Sequence, residues 1–167
     1  MKALIADSSV LIDYVTTDVS VLSSASRCLA PMYVSNVVLE EVEQLSADDC
    51  SSLGLTLSEP SEEQLFLAGE LSVSGGLSFE DWTCVILARD NDWICLTNDA
   101  GMHKACEEWT VSAMWGLALM IELVQVGELE AEEAVEIAEN IHRSNRRIKR
   151  EVVDRFTAKV TRHSRKH

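Results

Sequence analysis

Two aspartates follow short apolar runs, each at a point where a strand would end and a helix begin. Asp7 lies between "ALIA" and "SSVLI", and Asp99 lies between "WICLTN" and "AGMHKA". Either residue alone can be explained as a helix N-cap, whose side chain accepts a hydrogen bond from an unpaired backbone N–H. Ser or Asn would cap as well, so two carboxylates in the same setting favour a site. If the two strands are neighbours in a parallel sheet, the carboxylates approach each other.

A third acid, Asp81, lies on a helix that is apolar almost all round, in "LSFEDWTCVILA". It shares a face with Cys84, Val85 and Ala88, where a charge without a partner is costly. The alternative is a capping box in which Ser78 is the N-cap and Asp81, three residues on, takes the place of the usual Glu. The sequence leaves both interpretations open.

A fourth acid, Glu41, is selected from three glutamates in "VSNVVLEEVEQL", where we predict a helix over residues 37–45. With about 100° per residue, the buried face of this helix consists of Val38, Val42 and Leu45. Glu41 then lies at the edge of that face, whereas Glu40 and Glu43 point away from it. The alternative is a surface glutamate whose stem covers apolar area.

The four segments contain no Lys or Arg other than Lys2 and Lys104. Clustered carboxylates repel one another unless they are protonated or bridged by a cation. Oxygen ligands suit Mg²⁺ or Mn²⁺, and zinc is disfavoured because no His or Cys occurs at ligand spacing. His103 is expected on the surface of a helix. Carboxylates that hold such an ion form the kind of site that activates water for phosphodiester hydrolysis.

The elements that would position these acids alternate along the chain. Strands are predicted at residues 3–6, 32–35, 55–57, 93–97 and 110–114, and helices at residues 9–15, 37–45, 62–73, 79–91, 101–108 and 117–126. This alternation predicts an α/β three-layer sandwich: a mostly parallel sheet of about five strands with helices on both faces, followed by C-terminal helices. Sites in such sheets form outside the carboxyl ends of the strands.

Composition favours one globular unit, with 167 residues of which 47% are apolar. The five cysteines include no C-x-x-C pair and are predicted to be reduced core residues. The apolar run "VSAMWGLALMIELVQVG" is short for a membrane span, and it would pack in the core or across a dimer. The N-terminus does not have the pattern of a signal peptide, so we expect a cytoplasmic protein that does not bind membranes.

The net charge of −14 is divided unevenly between the body and the tail of the chain. Residues 1–142 hold 4 Lys or Arg and 26 Asp or Glu, whereas residues 143–167 hold 10 Lys or Arg and only 2 acids. Such an acidic body repels nucleic acid unless cations or the tail intervene. The tail is either a solvated helix that offsets the body's charge or an RNA-binding segment. The candidate RNA contacts are Arg143, Arg146, Arg147, Lys149 and Arg150.

Residues 2–127 resemble the PIN domains, a family that includes metal-dependent ribonucleases and the toxins of toxin–antitoxin pairs. The similarity lies in four segments that occur in the family's order and near its spacing: "ADSSVLID", "VSNVVLEEV", "LSFEDWTCVILA" and "LTNDAGMHKA". It implies a PIN-like domain over residues 1–127. Residues 128–167 lie beyond the resemblance and are predicted to form a C-terminal helical extension with a basic tail. The acids that the resemblance assigns to catalysis and to Mg²⁺ or Mn²⁺ binding are Asp7, Glu41, Asp81 and Asp99.

Some members of that family use a further acid shortly after the last strand-end Asp. Here only Glu107 and Glu108 are available, a turn or more away, so the sequence leaves open whether one or two metal ions bind. The resemblance and the residues together predict an Mg²⁺- or Mn²⁺-dependent endoribonuclease, in which carboxylates hold the ion and a metal-activated water attacks the phosphodiester. The expected partners are an RNA substrate, an antitoxin protein if the chain is a toxin, and a second copy of the chain. The alternative is a non-catalytic PIN-like module that binds RNA or protein.

Overall fold

Strand β1 (Leu4–Ala6) is the central strand of the sheet. All of its residues are apolar and fully buried. The computed structural model describes residues 1–164 and contains one five-stranded sheet in the order β3-β2-β1-β4-β5. Every neighbouring pair is parallel. The other strands are β2 (Met32–Ser35), β3 (Leu55–Ser58), β4 (Ile94–Leu96) and β5 (Ala113–Met114). The prediction of a parallel α/β sheet is confirmed.

The helices form two groups around this sheet. Their bounds are α1 (Ser8–Thr17), α2 (Ser20–Cys28), α3 (Asn36–Leu39), α4 (Ala47–Ser52), α5 (Glu62–Val73), α6 (Phe79–Asn91), α7 (Ala100–Glu108), α8 (Gly116–Gln125), α9 (Ala131–Ser144) and α10 (Arg150–Ser164). Helix α6 packs on β1 and β4 and is contacted by α3, α5 and α7. Helices α1, α2, α8, α9 and α10 pack on one another as the second layer. The predicted three-layer arrangement is therefore present.

The predicted helix over residues 37–45 is wrong in its extent. Helix α3 ends at Leu39, because the N–H groups of Glu41 and Val42 bond to carbonyls three residues back and tighten the chain into turns. The predicted apolar face is nevertheless buried, with Val38, Val42 and Leu45 inside. The burial of these side chains was therefore predicted correctly, although the helix ends earlier than predicted.

Two further helices, α2 and α4, were not predicted from the sequence. Helix α2 is rich in serine and buries only Val21, Leu22 and Ala25, which is too short an apolar pattern to identify it. Helix α4 has a single buried residue and begins at a capping box formed by Ser46 and Asp49. Both helices depend on tertiary contacts and local capping more than on periodicity.

Helix α8 lies within the most apolar run of the sequence, for which packing in the core and packing across a dimer were the two alternatives. Six of its residues are buried, and it packs against α2, α9 and α10 within the same chain. Of the two alternatives, packing in the core is the one observed. Among residues 1–164, no helix is long and apolar enough to cross a membrane.

The C-terminal extension packs directly on the body. Helix α9 contacts α1 and α8, and α10 contacts α8 and α9. The apolar residues of the two helices join the main core: Ile137, Ile141, Val153, Phe156 and Val160 are among them. The basic segment is consequently held at a defined place beside the sheet.

A buried carboxylate, Asp13, fastens this extension to the body. It is 4% exposed and accepts hydrogen bonds from Asn98 Nδ2 at 2.8 Å and Asn145 Nδ2 at 2.9 Å. Asn98 also accepts a bond from the backbone N–H of Gly116 at 2.8 Å. Burial raises the pKa of Asp13, and the two amide donors oppose that rise. One side chain thus joins α1, the β4–α7 loop and the α9–α10 connection.

The fit around Asn98 predicts the effect of a single methyl group. A Cβ added at Gly116 would lie 2.7 Å from Asn98 Oδ1, whereas one added at Gly69 in α5 meets nothing within 4 Å. Gly116→Ala should lower the free energy of unfolding by about 1–3 kcal/mol through overpacking. Gly69→Ala, the control, should raise it by about 1 kcal/mol through helix propensity. Urea denaturation measures both, and a Gly116→Ala protein as stable as the parent would show that Asn98 is not held in this position.

Candidate active site

Asp7 lies at the carboxyl end of the central strand and is 3% exposed. It occupies the N-cap position of α1, but its side chain does not cap that helix. Its Oδ2 instead accepts bonds from the hydroxyls of Ser9 and Thr97, each at 2.8 Å, and Ser8 Oγ lies 3.4 Å from Oδ1. A carboxylate that is buried this deeply and held by hydroxyls has a role other than capping. For Asp7, the N-cap interpretation is wrong.

Asp99 follows β4, which is the neighbour of β1 with Ala6 paired to Leu96. The expected adjacency of the two strands is therefore confirmed. Thr97 bridges the two strand ends, since its Oγ1 donates to Asp7 and accepts from the backbone N–H of Asp99 at 3.1 Å. Asp99 itself caps α7 through Oδ1, which accepts from Met102 N at 2.9 Å. It serves as a cap and also lies beside the buried Asp7.

Asp81 takes part in the capping box that the sequence offered as an alternative. Its Oδ2 accepts from Ser78 N at 3.0 Å, and its own N–H donates to Ser78 Oγ at 3.1 Å. The side chain is half-buried, and burial together with the charges of Asp7 and Asp99 raises its pKa above the ordinary 3.8. Capping and proximity to the other acids are thus both true of Asp81.

Glu41 lies at the rim of this acidic region, in the turns after α3 and not on a helix. Its residue is exposed, and Glu40 and Glu43 are exposed as well. Partial desolvation and the charges of Glu80, Asp81 and Asp7 raise the pKa of Glu41, while the Ser8 hydroxyl opposes the rise. Glu41 is thus the glutamate of its segment that is electrostatically coupled to the other predicted acids.

The charges of Asp7 and Asp99 act on Asp81, and those of Asp81 and Asp7 act on Glu41. Within residues 1–164, none of the four forms an ion pair. In the same range, no three His, Cys, Asp or Glu side chains already lie in an arrangement that holds a metal ion. Asp81 and Asp99 are turned toward backbone N–H groups, and Asp7 is turned toward hydroxyls.

The donor set fits a hydrated hard cation better than a fully dehydrated one. All the donors are oxygens, and burial together with the charges of neighbouring acids raises the pKa values of Asp81 and Glu41. Mg²⁺ keeps several waters and is commonly held by one or two carboxylates. The residues that would hold such an ion are Asp7, Asp81, Asp99 and Glu41.

Several residues of this region were missed by the sequence interpretation. Ser8, Ser9 and Thr97 supply the hydroxyls around Asp7, and Glu80 is coupled to Glu41. Hydroxyl residues directly beside a strand-end Asp, as in "ADSS" and "LTND", were the available signal. Their contacts depend on which strands are neighbours, so the signal becomes specific only in the fold.

Residues Glu107 and Glu108 lie in the last turn of α7 and are exposed. With a rise of 1.5 Å per residue, they are about 12 Å along the helix axis from Asp99 at its start.

His103 is half-buried on α7, and its Nε2 donates to the Thr97 carbonyl at 2.9 Å. His103 is thus a packing residue near the site, where the sequence predicted an ordinary surface histidine.

The cysteines have no part in this site. All five are free, and four are buried while Cys28 is exposed. Cys84 and Cys95 have their Sγ atoms 3.7 Å apart in the core. The prediction of reduced cysteines is confirmed, and that of core positions holds for all except Cys28.

The five predicted RNA-contacting cations differ in their surroundings. Arg150 is engaged by Glu139 through two bonds of 2.7 and 2.8 Å, and Arg143 donates to Asn140 at 3.0 Å. Arg146 is exposed. Arg147 and Lys149 line grooves beside the acidic region. The basic tail is therefore not uniform, and Arg147 is the cation of these five that lines the groove containing Asp99.

Compared with models of known protein families, the chain matches none, and a comparison with curated protein sequences gives no match. Any function assigned to the acidic region therefore depends on its geometry and chemistry.

Asp81 and Asp49 offer a matched pair for a test of the acidic cluster, because each is the third residue of a helix and closes a capping box with a serine. The pKa of Asp81 is raised, so the folded state binds the proton more tightly and stability falls as pH rises from 3.8 through the folded value. The pKa of Asp49 is lowered by its bonds with Ser46, so its stabilisation is present above 3.8 and is lost in acid.

At neutral pH and with a chelator present, Asp81→Asn should therefore raise the melting temperature, by about 2–4 °C for each kcal/mol gained. Asp49→Asn should lower it. Thermal melts between pH 3 and pH 8 check the signs, and the Asp81→Asn difference should vanish toward the acid end. If both variants shift the melting temperature in the same direction at neutral pH, Asp81 is an ordinary cap without repulsive neighbours.

Proposed function

We propose that the protein is an Mg²⁺- or Mn²⁺-dependent endoribonuclease that hydrolyses phosphodiester bonds at the acidic region around Asp7. The observation that carries the proposal is a buried carboxylate without an ion pair, coupled to further acids outside the carboxyl ends of β1 and β4. These strands lie at the centre of the sheet, where the chain leaves β1 for β2 on one side and reaches β4 on the other. Ligands bind at such switch points in parallel α/β sheets.

The acids of the proposed site have different roles, because their surroundings differ. Asp7 is fixed by the hydroxyls of Ser9 and Thr97, so its carboxylate keeps one orientation. Burial and the neighbouring acids raise the pKa values of Asp81 and Glu41, and a bound cation would lower them because it favours the charged form of a carboxyl. A divalent ion, when bound, supplies positive charge toward a phosphodiester and lowers the pKa of water.

RNA is the substrate class that the surroundings and the resemblance to PIN domains both support. The acidic body repels a phosphate backbone, but Arg147 lies in the groove that also contains Asp99 and Ser9. A cation at this place brings a phosphate toward the carboxylates. The C-terminal extension thus places positive charge beside the site, in a body that is otherwise acidic.

A non-catalytic RNA-binding module is the second candidate. It is favoured by the hydrogen bonds that Asp81 and Asp99 already form with helix N-termini, which leave no preformed set of three metal ligands in residues 1–164. Under this alternative, the acids are helix caps around one buried carboxylate. The two candidates differ in whether RNA is cleaved when metal is added.

The first test compares two adjacent glutamates. Glu41→Gln should reduce Mn²⁺-dependent cleavage of RNA by on the order of 100-fold or more, because a charge that faces Asp7 and Asp81 is lost. Glu40→Gln is the control and should retain most of the activity. Rates are measured with Mg²⁺, with Mn²⁺ and with chelator. Equal effects of the two variants contradict the assignment of Glu41, and no metal-dependent cleavage by the parent favours the binding module.

The second test detects the metal without a substrate. Mn²⁺ should raise the melting temperature of the parent, because an ion that binds only the folded state stabilises it by mass action. Asp7→Asn should lose most of this increase, whereas Asp18→Asn, which changes an aspartate that accepts local bonds from Ser20, should keep it. An increase that is the same in all three proteins places the bound ion elsewhere.

The toxin role, its antitoxin, the homodimer and the cytoplasmic location stay predictions from the sequence. The two tests above do not depend on them.

A further inference from the structure

A second groove, which we call the tail groove, lies between α8, the α9–α10 connection and α10. It has a volume of about 740 Å³, and its floor is apolar, formed by Leu117, Ile121, Ile148, Val152 and Phe156. Pockets that bind ligands in proteins have volumes of roughly 300–1,000 Å³. The tail groove is therefore large enough to hold part of an extended ligand.

The rim of the tail groove carries four cations in a protein whose net charge is −14. They are Arg147, Lys149, Arg155 and Lys159, all exposed. None of the four forms an ion pair with another residue of the described chain, and no Asp or Glu in that range lines the groove. Arg155 and Lys159 are four residues apart and so lie on one face of α10. The groove thus combines an apolar floor with a cationic rim.

Trp115 supplies an aromatic wall and is held in a fixed orientation. It stacks on His103 with ring centroids 3.7 Å apart and an angle of 16° between the planes, yet it remains 48% exposed. His103 is fixed in turn by its bond to the Thr97 carbonyl, the residue whose hydroxyl bonds to Asp7. Aromatic side chains of this kind are platforms on which unpaired bases stack.

The tail groove is continuous with the groove that contains Ser9 and Asp99. The groove that contains Ser9 and Asp99 has a volume of about 710 Å³. It shares the lining residues Asn98, Ala100 and Arg147 with the tail groove. Asn145 fixes the shared boundary, because it bonds to Asp13 and accepts from the backbone N–H of Arg147 at 3.0 Å. A chain that occupies the tail groove is therefore directed toward the acidic region.

We propose that the tail groove binds a single-stranded segment of the RNA substrate next to the phosphate that is cleaved, with a base on Trp115 and backbone phosphates on the cationic rim. The inference rests on the proposed function, because it assigns a subsite to the substrate of the same site. An acidic protein segment would satisfy the cations but would not need the exposed tryptophan. A duplex would not offer an unpaired base for stacking.

Binding is measured separately from cleavage, with chelator present and a fluorescein-labelled short single-stranded RNA of mixed sequence as the probe. The full chain is compared with the triple variant Lys149→Ala/Arg155→Ala/Lys159→Ala. Loss of three phosphate contacts should weaken binding at low salt by at least about tenfold and reduce the slope of log K against log salt by about 2. Trp115→Ala should weaken binding by about five- to hundredfold with the salt slope unchanged.

The control is the triple variant Arg27→Ala/Lys104→Ala/Arg162→Ala, which removes three exposed cations that do not line the tail groove. It should retain most of the affinity. Circular dichroism melts of all variants verify that they are folded. If the two triple variants weaken binding equally, net charge explains the result and the tail groove is not the subsite.

Other probes identify the occupant. Tighter binding of duplex RNA, of single-stranded DNA or of polyglutamate than of single-stranded RNA would overturn the assignment. RNA binding that needs the tail groove, in a protein that cleaves no RNA with Mn²⁺, would refute the proposed hydrolysis and leave the groove intact. Metal-dependent cleavage whose KM is unaffected by the groove variants would refute the groove and leave the hydrolysis intact.

Discussion

The burial of the Asp7 carboxylate at the end of the central strand constrains the rest of the site. An ionised carboxylate removed from water needs donors, and here they are hydroxyls from Ser9 on α1 and Thr97 after β4. These bonds tie the ends of two neighbouring strands together and fix the loop from which Asp99 projects. Because no cation pairs with Asp7 in the described chain, its charge acts on the surrounding acids.

A second buried carboxylate, Asp13, lies two turns along α1 and has a different task. Its partners are amide groups from distant parts of the chain, Asn98 and Asn145. Asp7 therefore joins strand ends, and Asp13 joins the C-terminal extension to the same loop. Both aspartates bond to the segment that follows β4, Asp7 to Thr97 and Asp13 to Asn98. Because Asp13 also bonds to Asn145, the basic segment is held beside the acidic region.

The electrostatic design is local and would not be visible from net charge. Most of the chain is acidic, but the cations that line the two grooves all come from residues 147–159. Arg150, in the middle of that segment, is neutralised by Glu139 and is thereby removed from the set. Which cations remain accessible depends on helix packing, since α9 supplies the acid that engages α10.

By itself, the sequence determined the elements whose signals are local. The strands were predicted because their apolar runs are short and bounded by turns, and helix α6 was predicted from an apolar pattern that begins after Ser78. The strand-end positions of Asp7 and Asp99 followed from the same patterns. Helix α3 was overextended, because a helical wheel places Val38, Val42 and Leu45 on one side whether or not the backbone continues as a helix.

Only the tertiary structure decided what each acid does. A cap and a buried site residue have the same sequence pattern, and the difference for Asp7 is that Thr97, 90 residues away, supplies its donor. Asp81 and Asp99 turned out to be caps that also lie near Asp7, a combination that the sequence presented as alternatives. The hydrogen bond from Asn145 to Asp13 joins residues 132 positions apart. Contacts across such distances depend on which strands and helices become neighbours, and a local pattern of residue types carries no information about that choice.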